Sequence, residues 1–429
     1  MLMAILRDIF LVLSLAAFGL CSLPASGDEA VLPAPTGPFA VGQVTYYWTD
    51  TARPEPLSPQ KGAHREVKVT VWYPAEAPAG AEMAPYFPQF AAIEKCVGEK
   101  DMKALLGASY SRVKSGRFRT HSVENARIAP GHKAFLVLVF SPGFGEYSLT
   151  YTAVLEDLAS HGYVVAAVDH PYDTSCVVFP DGRTIPFAQA QFDAAAKKPE
   201  GVVNYQIAQI PIRAADMRFV LDQLIRYDKT PGLGAPFAGR LDLRRIGAFG
   251  HSVGGMGAAR LCQIDPRVRA GMNQDADYDG IPFIVYTPGE TIPAPFLFFA
   301  SDHSLYISPH IPPPTEAELA NMKLTREQYD ALVQKYQKNQ DDSLARMPGG
   351  SYRVSVETPG FTHRSFMDLP LLKAGDDPAA TERNLRNLEI VIAYTRAFFD
   401  RTLKGIQPTL LDLPADDSYV RVDCFHPPH

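Results

Sequence analysis

The sequence predicts an α/β fold built on a mainly parallel central sheet with helices on both faces. Three observations carry that expectation. Phe135–Phe140 and Val164–Val168 are fully apolar runs, as strands buried on both faces require. Helix-spaced segments separate such runs, so strand and helix alternate in the order a parallel sheet needs. The later strand candidates end at acidic residues, where sheets of this kind keep their ligand-handling groups.

The elements follow in chain order. Val41–Trp48 and Glu66–Tyr73 alternate in polarity and predict an antiparallel opening pair. Pro74–Pro88 reads as loop and Ala91–Ser109 as helix. Ser141-Pro142-Gly143-Phe144-Gly145 follows the first buried strand, and a helix over Tyr151–His161 leads to the second. Val177–Ile185, with its Pro180-Asp181-Gly182 turn, predicts a surface hairpin. Met217, Val220, Leu221 and Leu224 give Ile212–Tyr227 helical spacing. Val268–Met272 is a further strand followed by Asp275, Asp277 and Asp279, and Phe296–Ala300 another followed by Asp302. Capping boxes at Thr315 and Thr325 open a helical pair over residues 315–347, a lid or a packing embellishment before the last strand, Tyr352–Glu357. Asp377 caps a closing helix, Pro378–Leu403, which Gly405 ends.

The chain has 429 residues, 46% hydrophobic and 21% charged, enough for a sizeable core. Its net charge of −6, with no basic block, argues against a nucleic-acid partner. The apolar run Ile9–Leu20 behind Arg7, followed by Ala25-Ser26-Gly27, predicts a signal peptide over residues 1–27 and a secreted or periplasmic product. Residues 28–40 then read as a linker, 41–410 as the folded domain and 411–429 as a tail. No later stretch reaches the ~18 apolar residues of a membrane span. Cys21 suggests a lipid anchor, but Phe18-Gly19-Leu20 lacks the small residues such a site wants. Cys96, Cys176, Cys262 and Cys424 could pair in three ways or stay as thiols, with Cys262 a buried apolar one. No cysteine or histidine cluster has metal-ligand spacing, and neither cofactor nor metal is expected.

The chemistry centres on Gly250-His251-Ser252-Val253-Gly254, entered by the apolar run Ile246–Phe249 and left by a helix-compatible segment. This is the layout of a nucleophile elbow, which lifts a serine hydroxyl above a sheet. Glycine occupies 31 of the 429 positions. A serine so flanked therefore arises somewhere by chance about one time in ten, and context must decide. A neutral serine needs a base, and the base an orienting acid, here in the order serine, acid, histidine. Ser252, then Asp275 or Asp302, then His363 fits that order. Of the 11 histidines, His363 alone lies in a glycine-containing loop just after the final strand. The N–H of Val253 and that of Phe144 are the candidate oxyanion donors.

These pieces resemble the secreted platelet-activating-factor acetylhydrolase family of the α/β-hydrolase superfamily, over about Val41–Phe399. The carriers are Asp50-Thr-Ala-Arg53, Val71-Trp-Tyr-Pro74, Phe140-Ser-Pro-Gly-Phe-Gly145 and Asp216…Phe219-Val-Leu-Asp-Gln-Leu224. Gly250-His-Ser-Val-Gly-Gly255, Asn273-Gln-Asp-Ala276 and His363-Arg-Ser-Phe-Met-Asp368 complete them. The resemblance implies a calcium-independent serine esterase removing short or oxidised acyl groups from phospholipid-like esters, with transient contact to lipid surfaces. It also implies Asp275 rather than Asp302 as the acid. Pro142, where animal members of the family carry histidine, and the 315–347 insert depart from the pattern, so the acyl pocket is expected to differ. Polyester-degrading and other small-ester hydrolases, an amidase, and a catalytically silent lipid-binding protein are the alternatives.

Overall fold

In the computed structural model the described residues are 32–76, 80–131, 134–198, 201–276, 291–301, 314–321, 324–331, 333–334, 338, 345–412 and 419–425. The expected signal peptide, Asp302 and much of the 315–347 insert lie outside them. The strands are β1 (Ala40–Pro54), β2 (His64–Glu76), β3 (Met83–Pro85), β4 (Arg119–Glu124), β5 (Arg127–Ile128), β6 (Phe135–Ser141) and β7 (Tyr163–Asp169). After them come β8 (Cys176–Val178), β9 (Thr184–Pro186), β10 (Leu241–His251), β11 (Val268–Gln274), β12 (Phe296–Ser301), β13 (Ser351–Val356) and β14 (Val420–Phe425).

One sheet runs in the order β14-β13-β12-β11-β10-β6-β7-β2-β1-β4-β3. Every pairing from β13 through β12, β11, β10 and β6 to β7 is parallel. The opening pair β1–β2 is antiparallel as expected, and β2 joins β7 antiparallel. This is the mainly parallel sheet of an α/β hydrolase.

Period-two alternation divides the core between the two faces. On β6, Leu136, Leu138 and Phe140 pack with the helices Thr152–Ser160 and Pro378–Phe399. Phe135, Val137 and Val139 face the other way, toward the helices Gly201–Lys229 and Val253–Ile264. On β7, Tyr163, Val165 and Ala167 join the first cluster and Val164, Ala166 and Val168 the second. A strand sandwiched this way has no polar face, which is why these runs are apolar throughout.

Several elements depart from the sequence reading. The helix expected over Ala91–Ser109 is broken by Gly98, at φ 99°, into Phe90–Val97 and Glu99–Leu106. The helix expected from Ile212 starts at Gly201 and runs through Pro211, at the loss of one backbone donor. Tyr352–Glu357 is not the last strand: β14, within the stretch read as a tail, pairs antiparallel with β13 and closes that edge. Thr36, in the stretch read as a linker, donates from N–H and Oγ1 to Asp157 Oδ1 at 2.8 and 2.7 Å. The expected cap at Thr325 forms, with Gln328 N–H donating to Thr325 Oγ1 and Thr325 N–H to Gln328 Oε1. All four expected cysteines are thiols, with Cys176 and Cys262 buried. Among the described residues no helix is long and apolar enough to cross a membrane.

Beneath the sheet, Glu156 is wholly buried and accepts the N–H of His121 and the hydroxyl of Ser122. Burial pushes its carboxyl from 4.5 up to about 7. The folded chain thus keeps a proton that the unfolded chain releases near pH 4.5, and stability falls as pH rises through that window. Relative to Glu156→Gln, the wild type should lose on the order of 3 kcal/mol of unfolding free energy between pH 4.5 and 8. Urea titrations of both proteins measure this, and a pH-independent difference would contradict it.

Candidate active site

The β10 strand ends at His251 and the helix Val253–Ile264 begins two residues later. Ser252 makes the turn alone, at φ 53° and ψ −129°, a conformation costly for a residue with a side chain. The flanking glycines explain how it closes. A Cβ on Gly250 would lie 2.4 Å from the carbonyl of Gly254, and one on Gly254 only 2.1 Å from the Ser141 oxygen at the end of β6. Ser252 N–H donates to Gln274 O at 2.8 Å, which ties the turn to β11.

Asp275 follows β11, also at positive φ (55°), with its own N–H donating to Phe299 O on β12. Its carboxylate is buried and receives three donors. Ser301 gives N–H to Oδ1 at 2.7 Å and its hydroxyl to Oδ2 at 2.8 Å. His363 Nδ1 gives the third, to Oδ2 at 2.9 Å. A carboxylate is acceptor-only, so the imidazole proton on Nδ1 is fixed and Nε2 is the basic nitrogen. His363 opens a short 3-10 turn, His363–Phe366, pinned by a reciprocal cap between Thr362 and Ser365.

His251, next to the serine, joins the remaining parts. Tyr151 Oη accepts the N–H of Gly143 at 3.0 Å and donates to His251 Nδ1 at 2.8 Å. That leaves Nε2–H of His251 to donate to the carbonyl of His363 at 2.9 Å, and the two rings lie 4.3 Å apart. Burial, reinforced by the neighbouring His363, holds His251 well below the usual histidine range, so it is neutral. Burial likewise keeps Tyr151 a phenol. The tautomer is therefore set from both ends.

The two candidate oxyanion donors are placed as follows. Val253 is the first residue of its helix, where an N–H has no acceptor within the helix. In the loop after β6, the N–H of Gly143 goes to Tyr151 and that of Gly145 to Asp173 Oδ1 at 3.3 Å. The N–H of Phe144 between them has no acceptor among the described residues. Its ring packs on Phe187, Phe192 and Tyr205.

The structure thus brings Asp275 to His363 and His363 alongside the Ser252 turn, while Asp302 lies outside the described residues. Tyr151 and Ser301 escaped the sequence reading, because neither sits in a motif. Ser301, as the last polar residue of an apolar strand beside Asp302, was the nearest signal. Among the described residues no three His, Cys, Asp or Glu side chains are grouped to hold a metal. His251→Phe keeps a ring but leaves Tyr151 Oη and the His363 carbonyl without their partner. The expected result is a kcat about 10- to 100-fold lower, because a base shifted by a fraction of an ångström transfers protons poorly. Steady-state kinetics with thermal melting checks this, and unchanged kcat would show that the bridge does not hold His363.

The chain is similar to several known proteins. The sequence matches the model of the family described as platelet-activating factor acetylhydrolase, isoform II, over residues 25–305. That span contains Phe144, Ser252 and Asp275 and stops short of His363. A probable 1-alkyl-2-acetylglycerophosphocholine esterase of Arthroderma benhamiae is 25% identical, with 92% of this chain and 93% of that one covered. The platelet-activating factor acetylhydrolase of Bos taurus is 28% identical over 45% of this chain and 46% of its own. Among solved structures, a ferulic acid esterase from Streptomyces cinnamoneus is similar with a TM-score of 0.65 at 29% identity, covering 92% of this chain and 99% of that one. The chain belongs to the platelet-activating factor acetylhydrolase, isoform II, family of carboxylic ester hydrolases.

Proposed function

We propose that ester hydrolysis in this chain runs through an acyl-enzyme on Ser252, with His363 as base, Asp275 as its orienting acid, and Val253 and Phe144 as oxyanion donors. The observation that carries this reading is the 2.9 Å bond from His363 Nδ1 to the buried Asp275 carboxylate, beside a serine held at positive φ. His363 Nε2 takes the Ser252 proton as Oγ attacks the ester carbonyl. The tetrahedral oxyanion is stabilised by the N–H groups of Val253 and Phe144. The imidazolium then protonates the departing alcohol. Water, activated by the same nitrogen, releases the acid. The neutral state of His251 matters here, since a second cation 4.3 Å from His363 would oppose the imidazolium.

The substrate proposed is an ester of a short acyl group on a lipid-like alcohol, met at a lipid surface after export of the mature chain. Names of the relatives support it: an alkylacetylglycerophosphocholine esterase and an acetylhydrolase. The 315–347 insert, placed between β12 and β13, is proposed as a lid over that site. A second reading, esters of aromatic acids, is favoured by the rings of Phe187, Phe192 and Tyr205 around Phe144 and by the ferulic acid esterase likeness.

Ser252→Ala should lower p-nitrophenyl acetate turnover by roughly 10⁴-fold or more, and Asp275→Asn by about 10³- to 10⁴-fold. Near-normal turnover in either would remove that residue from the reading. A panel of acetate, butyrate and octanoate esters, methyl ferulate and a short-acyl phospholipid separates the two substrate classes. The first reading expects kcat/KM for the acetyl phospholipid to exceed that for methyl ferulate, and the reverse order would favour the second.

A further inference from the structure

The loop that presents Phe144 is gripped by a buried guanidinium. Arg213, on the helix Gly201–Lys229 and 1% exposed, uses every N–H it has. Nε and Nη2 donate to Asp173 Oδ2 and Oδ1 at 2.8 and 2.6 Å. Nη1 donates to Ser141 Oγ at 2.9 Å and to the Pro142 carbonyl at 2.6 Å, and Nη2 also to the Gly143 carbonyl at 3.2 Å. Asp173 in turn accepts the N–H of Gly145. The guanidinium and its carboxylate therefore bracket Phe144 on both sides.

Behind Ser141 lies a second serine, histidine and aspartate array. Ser141 Oγ donates to His170 Nε2 at 2.9 Å, and His170 Nδ1–H donates to Asp216 Oδ2 at 2.8 Å. Burial alone would raise the Asp216 carboxyl, but the Arg65 guanidinium at 2.6 Å outweighs it and keeps Asp216 ionised. Burial, then the charge of Arg213, keeps His170 neutral. Ser141, His170 and Asp216 are all closed to solvent, so this array meets no substrate. Its effect is to commit the Ser141 proton to His170 and turn a lone pair of the same oxygen toward Arg213.

We propose that Arg213, backed by Asp173, is a positioning residue for the oxyanion donor Phe144. The carbonyl of Gly143 and the N–H of Phe144 belong to one trans peptide unit and point in opposite directions. Arg213, together with the Glu146 N–H at 3.1 Å, holds that carbonyl and so aims the N–H of Phe144 away from Arg213. This is the N–H left without an acceptor among the described residues. Stability alone is a poor account of the arrangement, because a buried ion pair seldom outperforms apolar packing of the same volume. The inference rests on the reading of Ser252 as nucleophile.

The test compares Arg213→Met, Arg213→Lys and Asp173→Asn with the wild type on p-nitrophenyl acetate. A trifluoromethyl ketone, whose hemiketal on Ser252 carries an oxyanion, is titrated alongside as a transition-state probe. Arg213→Met should lower kcat by about 100-fold with KM within about three-fold, as expected when an interaction made only in the transition state is lost. The Ki of the ketone should rise by the same factor, with Arg213→Lys in between. Thermal melting identifies folded variants, and if Arg213→Met does not fold, Arg213→Lys and Asp173→Asn are read by the same two quantities. Unchanged kcat in a folded variant, or a fall in kcat with ketone affinity intact, overturns the proposal. Ser252→Ala, run in parallel, keeps the outcomes apart: its activity would refute the nucleophile, whereas its inactivity beside an active Arg213→Met refutes the positioning alone.

Discussion

The site depends on how closely the chain at Gly254 approaches the carbonyl of Ser141. A single added methyl carbon on Gly254 would sit 2.1 Å from that oxygen. The contact joins the end of β6, with its Phe144 loop, to the turn that carries Ser252 at the end of β10. Because β6 and β10 are parallel neighbours, their C-terminal ends lie side by side, and β11 and β12 continue the row. Asp275 leaves the third strand and Ser301 ends the fourth. Four adjacent strand ends thus supply the Phe144 loop, the Ser252 turn, the Asp275 carboxylate and its Ser301 support, which is what a parallel sheet makes available at one edge.

Around this edge, burial sets protonation states that the chemistry needs fixed. His251 is kept neutral and locked in one tautomer between Tyr151 and His363. Asp216 is kept ionised although wholly buried, because arginines surround it. The polar side-chain atoms of His251, Tyr151, His170 and Asp216 all have hydrogen-bond partners, and a half-satisfied version would cost more than an apolar core. The dry interior therefore acts as scaffold for His363, which keeps partial access to solvent.

Much of this was legible in the sequence, and the reasons differ by element. Phe135–Phe140 and Val164–Val168 announced buried parallel strands because burial on both faces leaves no room for polar residues. Ser252 and its glycines were legible because a tight turn excludes Cβ atoms at fixed offsets. His363 followed from its place after β13. Asp275 was not separable from Asp302 by residue pattern, since both end apolar strands, and only the resemblance favoured it. Tyr151 and Arg213 were silent, because their partners are remote in sequence: Tyr151 meets His251 across 100 residues and Arg213 meets Pro142 across 71. The β14 strand was passed over because a short alternating segment near a chain end carries little signal of its own.

The central claim is that Ser252 is the group acylated during turnover. Incubation of the purified protein with a fluorophosphonate, followed by peptide mass mapping, tests it most directly. The account predicts one adduct, on the peptide holding Ser252, appearing in step with loss of esterase activity and absent from Ser252→Ala. Loss of activity with Ser252 unmodified, or an adduct on another residue, would contradict it.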